Sequence, residues 1–122
     1  MNEKERRERL NSIKDDIEKY RLLVCNPVSY DDISTITHQL SLIHNGLQGA
    51  TFLREKVNYL LISAYGEQAV RFREKPLAAH AQKEMDGEVI DYLFWYNLIN
   101  GLIQESHHQI TILTSLLNHN KS

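Results

Sequence analysis

The stretch ISTITHQLSLIHNGLQGATFLREKVNYLLISA, residues 33–64, decides the fold class. In it Ile33, Ile36, Leu40, Ile43, Leu47, Ala50, Val57, Leu61 and Ala64 keep the spacing of one helix face, broken only at Arg54. No proline interrupts the run, and the period is that of an α-helix. A second stripe, Leu42, Gly46, Gly49, Leu53 and Leu60, lies beside the first. Two adjacent stripes make a wide apolar face, suited to two partner helices rather than one. Gly46 and Gly49 each cost about 1 kcal/mol against alanine in a helix, so a close-packed backbone is expected there. Gly66, after Tyr65, reads as a C-terminal stop.

Upstream, Leu10, Ile13, Ile17, Tyr20 and Val24 form a coiled-coil-like seam and predict a helix from about Asn2 to Val24. Glu3 with Arg7 and Glu5 with Arg9 place acid four residues before base, the favourable order for surface pairs. Lys4 to Arg9 therefore reads as a solvated helix start. Pro27 ends this helix and drives Asn26 out of helical geometry. Ser29 is the expected cap of the next helix, with Asp31 and Asp32 in its first turn.

Downstream, Ala69 to Arg73 alternates like a strand, but a single strand has nothing to pair with. The reading is helix to Lys75, a break at Pro76, a short helix from Leu77 to Met85, and a turn at Asp86-Gly87. The last helix runs from about Glu88 to Asn118. Val89, Tyr92, Tyr96, Ile99, Ile103, Ile110, Leu113 and Leu117 form its stripe, widened by Trp95, Leu102 and Leu116. Leu47 and Leu113 lie at the centres of their seams and are expected to be buried. The expected fold is all-α, one helical domain over residues 1–122. It is a bundle with two long antiparallel helices, a shorter N-terminal helix and a short connecting helix.

At 122 residues, 42% hydrophobic and 25% charged, the chain is ordinary for one globular domain and too apolar for disorder. A net charge of −2 signals neither nucleic acid nor membrane, so any such claim must rest on a local patch. Cys25 has no cysteine to pair with. The first residues lack the apolar core of a secretory signal. The charge-free run 33–53 contains too many polar groups for a bilayer. The expected location is the cytoplasm, with no membrane partner.

Histidines raise a metal reading. Glu105-Ser106-His107-His108 contains Glu-x-x-His, but di-iron bundles need two such motifs and two further glutamates, and no second motif exists. His80 and Glu84 sit one turn apart without a third ligand, and His38 and His44 point to different faces. Cys25 has no local base. Neither a phosphate loop nor a dinucleotide fingerprint occurs. The expectation is a protein that is not an enzyme and holds no cofactor or metal.

Two surface candidates remain. Arg71, Phe72, Arg73 and Lys75, with Arg54 and Lys56, join bases to an aromatic, as single-strand binding requires. Glu55, Glu67 and Glu74 compete for those bases, so nucleic acid is not favoured. Between Tyr92 and Asn120 the only charged residue is Glu105. A charge-poor helix is expected to be covered, which makes Asn97, Asn100, Gln104, His107, His108 and Thr111 a candidate self-interface in a homo-oligomer.

Tyr20-Arg21-Leu22-Leu23 with Asn26-Pro27 and Asp31-Asp32, the Leu40 to Ala50 segment, and the closing Gln109-Ile110 to Leu116-Leu117 carry a resemblance. The chain resembles small all-helical phage and prophage proteins of unknown mechanism, often encoded near single-strand annealing recombinases. The resemblance covers most of the chain and implies a phage context, hence the cytoplasm of a bacterial host, more than an activity. The leading expectation is a helical protein-binding protein, an accessory or inhibitor that covers a surface on a host or phage protein. One alternative is a recombination accessory that binds single-stranded DNA. Another is an oligomer that sequesters a small polar ligand.

Overall fold

The computed structural model describes residues 1–26, 32–74 and 79–121, with side chains for 1–26, 32–70 and 87–119. Among the described residues there are three helices: α1 (Glu3–Val24), α2 (Ile33–Glu74) and α3 (Ala79–Lys121). No strand occurs among the described residues. The expected all-α class is what the chain adopts. The segment 69–73, despite its alternation, is helical.

Local chemistry sets the helix starts. Asn2 caps α1 by accepting the Glu5 backbone N–H at 2.9 Å. Asp32 caps α2, accepting from the Ser34 N–H at 3.0 Å and the Thr35 hydroxyl at 2.9 Å. Asp32 thus sits just before the helix rather than in its first turn. Ser29, Asp31, Pro27, Lys75, Pro76 and Leu77 lie outside the described residues.

Two expected boundaries are absent. α2 runs through Gly66 to Glu74, so Gly66 is not a stop. The short helix ending at Met85 and the Asp86-Gly87 turn are replaced by one helix that starts at Ala79. No described glycine has a positive φ, so Gly87 stays in the helical region. Glycine's helix penalty of about 1 kcal/mol is easily exceeded by tertiary packing. Glu88, Val89 and Tyr92 supply that packing immediately after Gly87.

Near the start of α2 its two stripes meet different helices. Leu40, Ile43 and Ile36 belong to a cluster with Leu113 and Ile110 of α3. Gly46 instead faces α1, where an added Cβ would lie 2.8 Å from Leu23 and 3.2 Å from the Tyr20 ring. Along α1 the α2 partners fall in number: Glu67 at Arg6, Gly46 at Tyr20, Gln39 at Leu23. The α3 partners rise: Glu88 at Arg6, Ser106 at Tyr20, Gln109 at Val24.

The larger core joins all three helices through Leu10, Ile17, Val57, Leu60, Tyr92 and Ile99. A smaller one, from the last turn of α1 outward, contains Ile36, Ile43 and Leu113. Leu113 is buried, whereas Leu47 is only half-buried against the larger core. Ile33, expected to open the seam, is exposed. Gln39 already reaches the last turn of α1, so residue 33 lies past the cover that α1 provides.

Candidate interaction surfaces

Polar side chains hold α1 in place along its length. Arg6 is fully buried, and its guanidinium meets Glu88 through two bonds, Nε to Oε1 at 2.5 Å and Nη2 to Oε2 at 3.0 Å. It also pairs with Glu67 and donates to the Met1 carbonyl at 2.7 Å. The Tyr92 hydroxyl donates to Glu88 at 2.6 Å. This corrects the reading of Lys4 to Arg9 as wholly solvated. Arg6 stands four residues before Leu10 and extends the seam inward, while Arg7 pairs at the surface with Glu3 and Asp91.

Electrostatics fix the charge states. Hydrogen bonding to Glu88 raises the Arg6 pKa against the opposing effect of burial, with Glu67 adding to the rise. Burial pushes the Glu88 carboxyl up, but bonds from Arg6 and Tyr92 and the charges of Arg6 and Arg7 outweigh it, leaving it below its ordinary value. Burial, then the Glu88 bond, pushes the Tyr92 phenol up. Among the described residues no buried side-chain polar atom lacks a partner. A paired carboxylate and a phenol bonded to it make a lock between helices.

The other end of α1 is tied as well. The Gln39 amide donates to the Leu23 carbonyl at 3.3 Å and the Gln109 amide to the Val24 carbonyl at 2.7 Å. These carbonyls have no partner inside the helix, so α2 and α3 cap α1. Between the ends, the buried Tyr20 hydroxyl bonds to Ser106. Burial raises the Tyr20 pKa, and the Ser106 bond opposes that rise. The sequence reading put Arg6 on a solvated surface and gave Glu88 and Ser106 no part in the core. The available signal was their spacing: Ser106 fills the seam between Ile103 and Ile110, and Glu88 lies one turn before Tyr92.

The basic candidate is divided by α2. Arg54 turns toward α3 and donates to the Asn100 side chain at 3.2 Å, while Lys56 borders α1. Residues two apart on a helix point to different sides. The backbone of Arg71, Phe72 and Arg73 is helical. Their side chains, and those of His80 and Glu84, lie outside the described set, as does Lys75. Arg54 and Asn100, drawn from the two different candidate surfaces, are therefore partners of one another.

Asn97, Gln104, His107, His108 and Thr111 are exposed on α3, and Asn100 is half-buried. The same outer face carries Ile90 and Phe94, 61% and 60% exposed, and Gly101, where an added Cβ would meet nothing within 4 Å. Among the described residues no group of three or more His, Cys, Asp and Glu is placed to hold a metal ion. Nor is any described helix long and apolar enough to cross a membrane.

A groove runs between α1 and α2. Two adjoining depressions of about 450 and 560 Å³ share Phe52 and Lys56. Ile13, Leu60, Leu53 and Leu23 line them, with Phe52 and Tyr59 on the α2 side 71% and 59% exposed. The chain matches no protein-family model, no curated protein and no solved structure.

Proposed function

We propose that this chain is a non-enzymatic helical protein that acts by covering a surface on another protein, as a phage-derived accessory or inhibitor in the bacterial cytoplasm. In this reading α2 and α3 run antiparallel, with Arg54 opposite Asn100. The chain also self-associates through the outer face of α3. The observation that carries the proposal is the character of that face. Ile90, Phe94 and Ile112 are exposed among Asn97, Gln104, His108 and Thr111, with Glu105 the sole charge from Tyr92 to His119. Free surfaces of this length normally carry lysine and glutamate, and apolar patches rimmed by neutral polar groups support protein association.

Sedimentation at micromolar concentration tests it. The expected species is larger than the 14.2 kDa monomer, and Phe94→Ser with Gly101→Arg should return it to monomer. A clean monomer for the unaltered chain would remove self-association from the proposal. The single-strand reading is less well supported, because Arg54 is already engaged by Asn100 and Lys56 faces the other side of α2.

A further inference from the structure

The α1–α2 groove has three properties that its own fold does not use. The first is charge. Among the described side chains Arg6, Arg7, Arg21 and Arg54 each pair with a carboxylate, and Lys14 lies 5.4 Å from the Trp95 ring centroid. Lys4, Arg9, Lys19 and Lys56 form no such pair within the described set, and the last three of these line the groove. They face two lining carboxylates, Asp16 and Glu55, of which Glu55 lies 4.0 Å from Arg54 outside the groove.

The second property is a bare spot. Gly46 lacks a side chain because Tyr20 and Leu23 occupy the space, but a Cβ on Gly49 would meet nothing within 4 Å. Gly49 lines the groove, so its penalty in the helix is not offset by packing within the chain. A bare backbone in an apolar channel lets another backbone approach closely. The third property is length. From Gly46 to Leu60 the groove follows α2 for roughly 20 Å at 1.5 Å per residue. That is the length of about four helical turns and more than a drug-sized molecule spans.

We infer that this groove docks an acidic amphipathic helix of a partner protein. The apolar face of that helix lies over Ile13, Leu53 and Leu60, between Phe52 and Tyr59, and its backbone comes closest at Gly49. Carboxylates flanking the apolar face meet Arg9, Lys19 and Lys56. The mode is helix-in-groove recognition with charge setting the choice of partner. The inference rests on the protein-binding reading and adds the partner's chemistry.

The test uses the full chain and three labelled 18-residue helical peptides, followed by fluorescence anisotropy. One has a leucine face flanked by glutamate, one the same face flanked by lysine, and one keeps the glutamates but replaces leucine by serine. The glutamate–leucine peptide should bind at least tenfold tighter than either other peptide. Gly49→Trp should cut that affinity at least tenfold without lowering the melting temperature. Lys19→Glu with Lys56→Glu, at exposed sites, should reverse the preference between the glutamate and lysine peptides. Equal binding of the glutamate and lysine peptides, or an unchanged preference in the double variant, overturns the inference. So does displacement of the peptide by a single-stranded oligonucleotide, which would assign the groove to nucleic acid. Sedimentation of the same samples separates the two claims: failed peptide binding with self-association intact sinks the groove alone.

Discussion

The two ends of the α2–α3 pair follow the same apolar rhythm and differ in what covers them. Where α1 lies alongside, Ile17, Val57, Leu60, Tyr92 and Ile99 are buried, and even Arg6, Glu88 and Ser106 are enclosed and partnered. Past Val24, α1 is gone. From its last turn onward, Ile36, Ile43 and Leu113 are the fully buried apolar residues of α2 and α3 among those described, and Leu40, Ile110, Leu116 and Leu117 are half-covered. Burial follows the number of neighbouring helices, and a seam alone does not secure it. A third helix also raises the demand on polar groups, since an enclosed charge must be paired or displaced.

The comparison breaks most visibly at Arg6. Arg6→Ala leaves Glu88 enclosed without its cation and should cost about 3–5 kcal/mol in urea unfolding, the usual penalty for half of a buried pair. A loss below about 1 kcal/mol would mean that this end opens to water and the lock is illusory. Next come the cores. Ile17→Ala and Leu113→Ala should each cost within about 2–5 kcal/mol, with Ile17 toward the upper end because three helices surround its cavity. Equal losses, or a larger one at Leu113, would overturn the claim that α1 makes the difference.

A smaller effect should appear with pH, and its two limbs come from the same enclosed end. Glu88 is held below the ordinary value of 4.5, so its contribution is present above that pH and lost as pH falls through its folded value. Tyr20 and Tyr92 are held above 10.0, so their contribution is present below that pH and lost as pH rises past it. Urea midpoints should be level near neutrality and fall at both extremes. Tyr92→Phe should shallow the alkaline limb, and a limb of unchanged steepness would assign it to other groups.

The smallest effect compares two glycines on one face of α2. Gly46→Ala forces a Cβ against Leu23 and against Tyr20, whose hydroxyl is tied to Ser106, so it should destabilise. Gly49→Ala meets open space and should stabilise by up to about 1 kcal/mol through helix propensity. Thermal melts of the two variants should shift in opposite directions. A shift of the same sign in both would place α1 further from Gly46 or nearer to Gly49 than described.

Most of the fold was legible because it is written in a period. Leu10 to Val24, Ile36 to Ala64 and Val89 to Leu113 mark the core faces at helical spacing, and Asn2 and Pro27 stand near the ends of α1. The adjacent stripes of α2 already required two neighbours, and α1 and α3 are those neighbours. The charge-poor outer side of α3 was equally plain, since composition on a helix face needs no partner to be read. What lay beyond the sequence were relations between residues far apart in the chain. Arg6 reads as one more surface charge until Glu88, eighty-two residues later, is beside it. Gly87 reads as a turn until the docking of Glu88 and Tyr92 holds it helical. Arg54 and Lys56 read as one basic patch until α3 claims the first and α1 borders the second. The groove exists only once α1 lies against α2, and Gly46 and Gly49 differ only in what stands opposite. Local sequence sets helix spacing and caps through backbone geometry, but desolvation and steric fit depend on neighbours that the tertiary structure alone supplies.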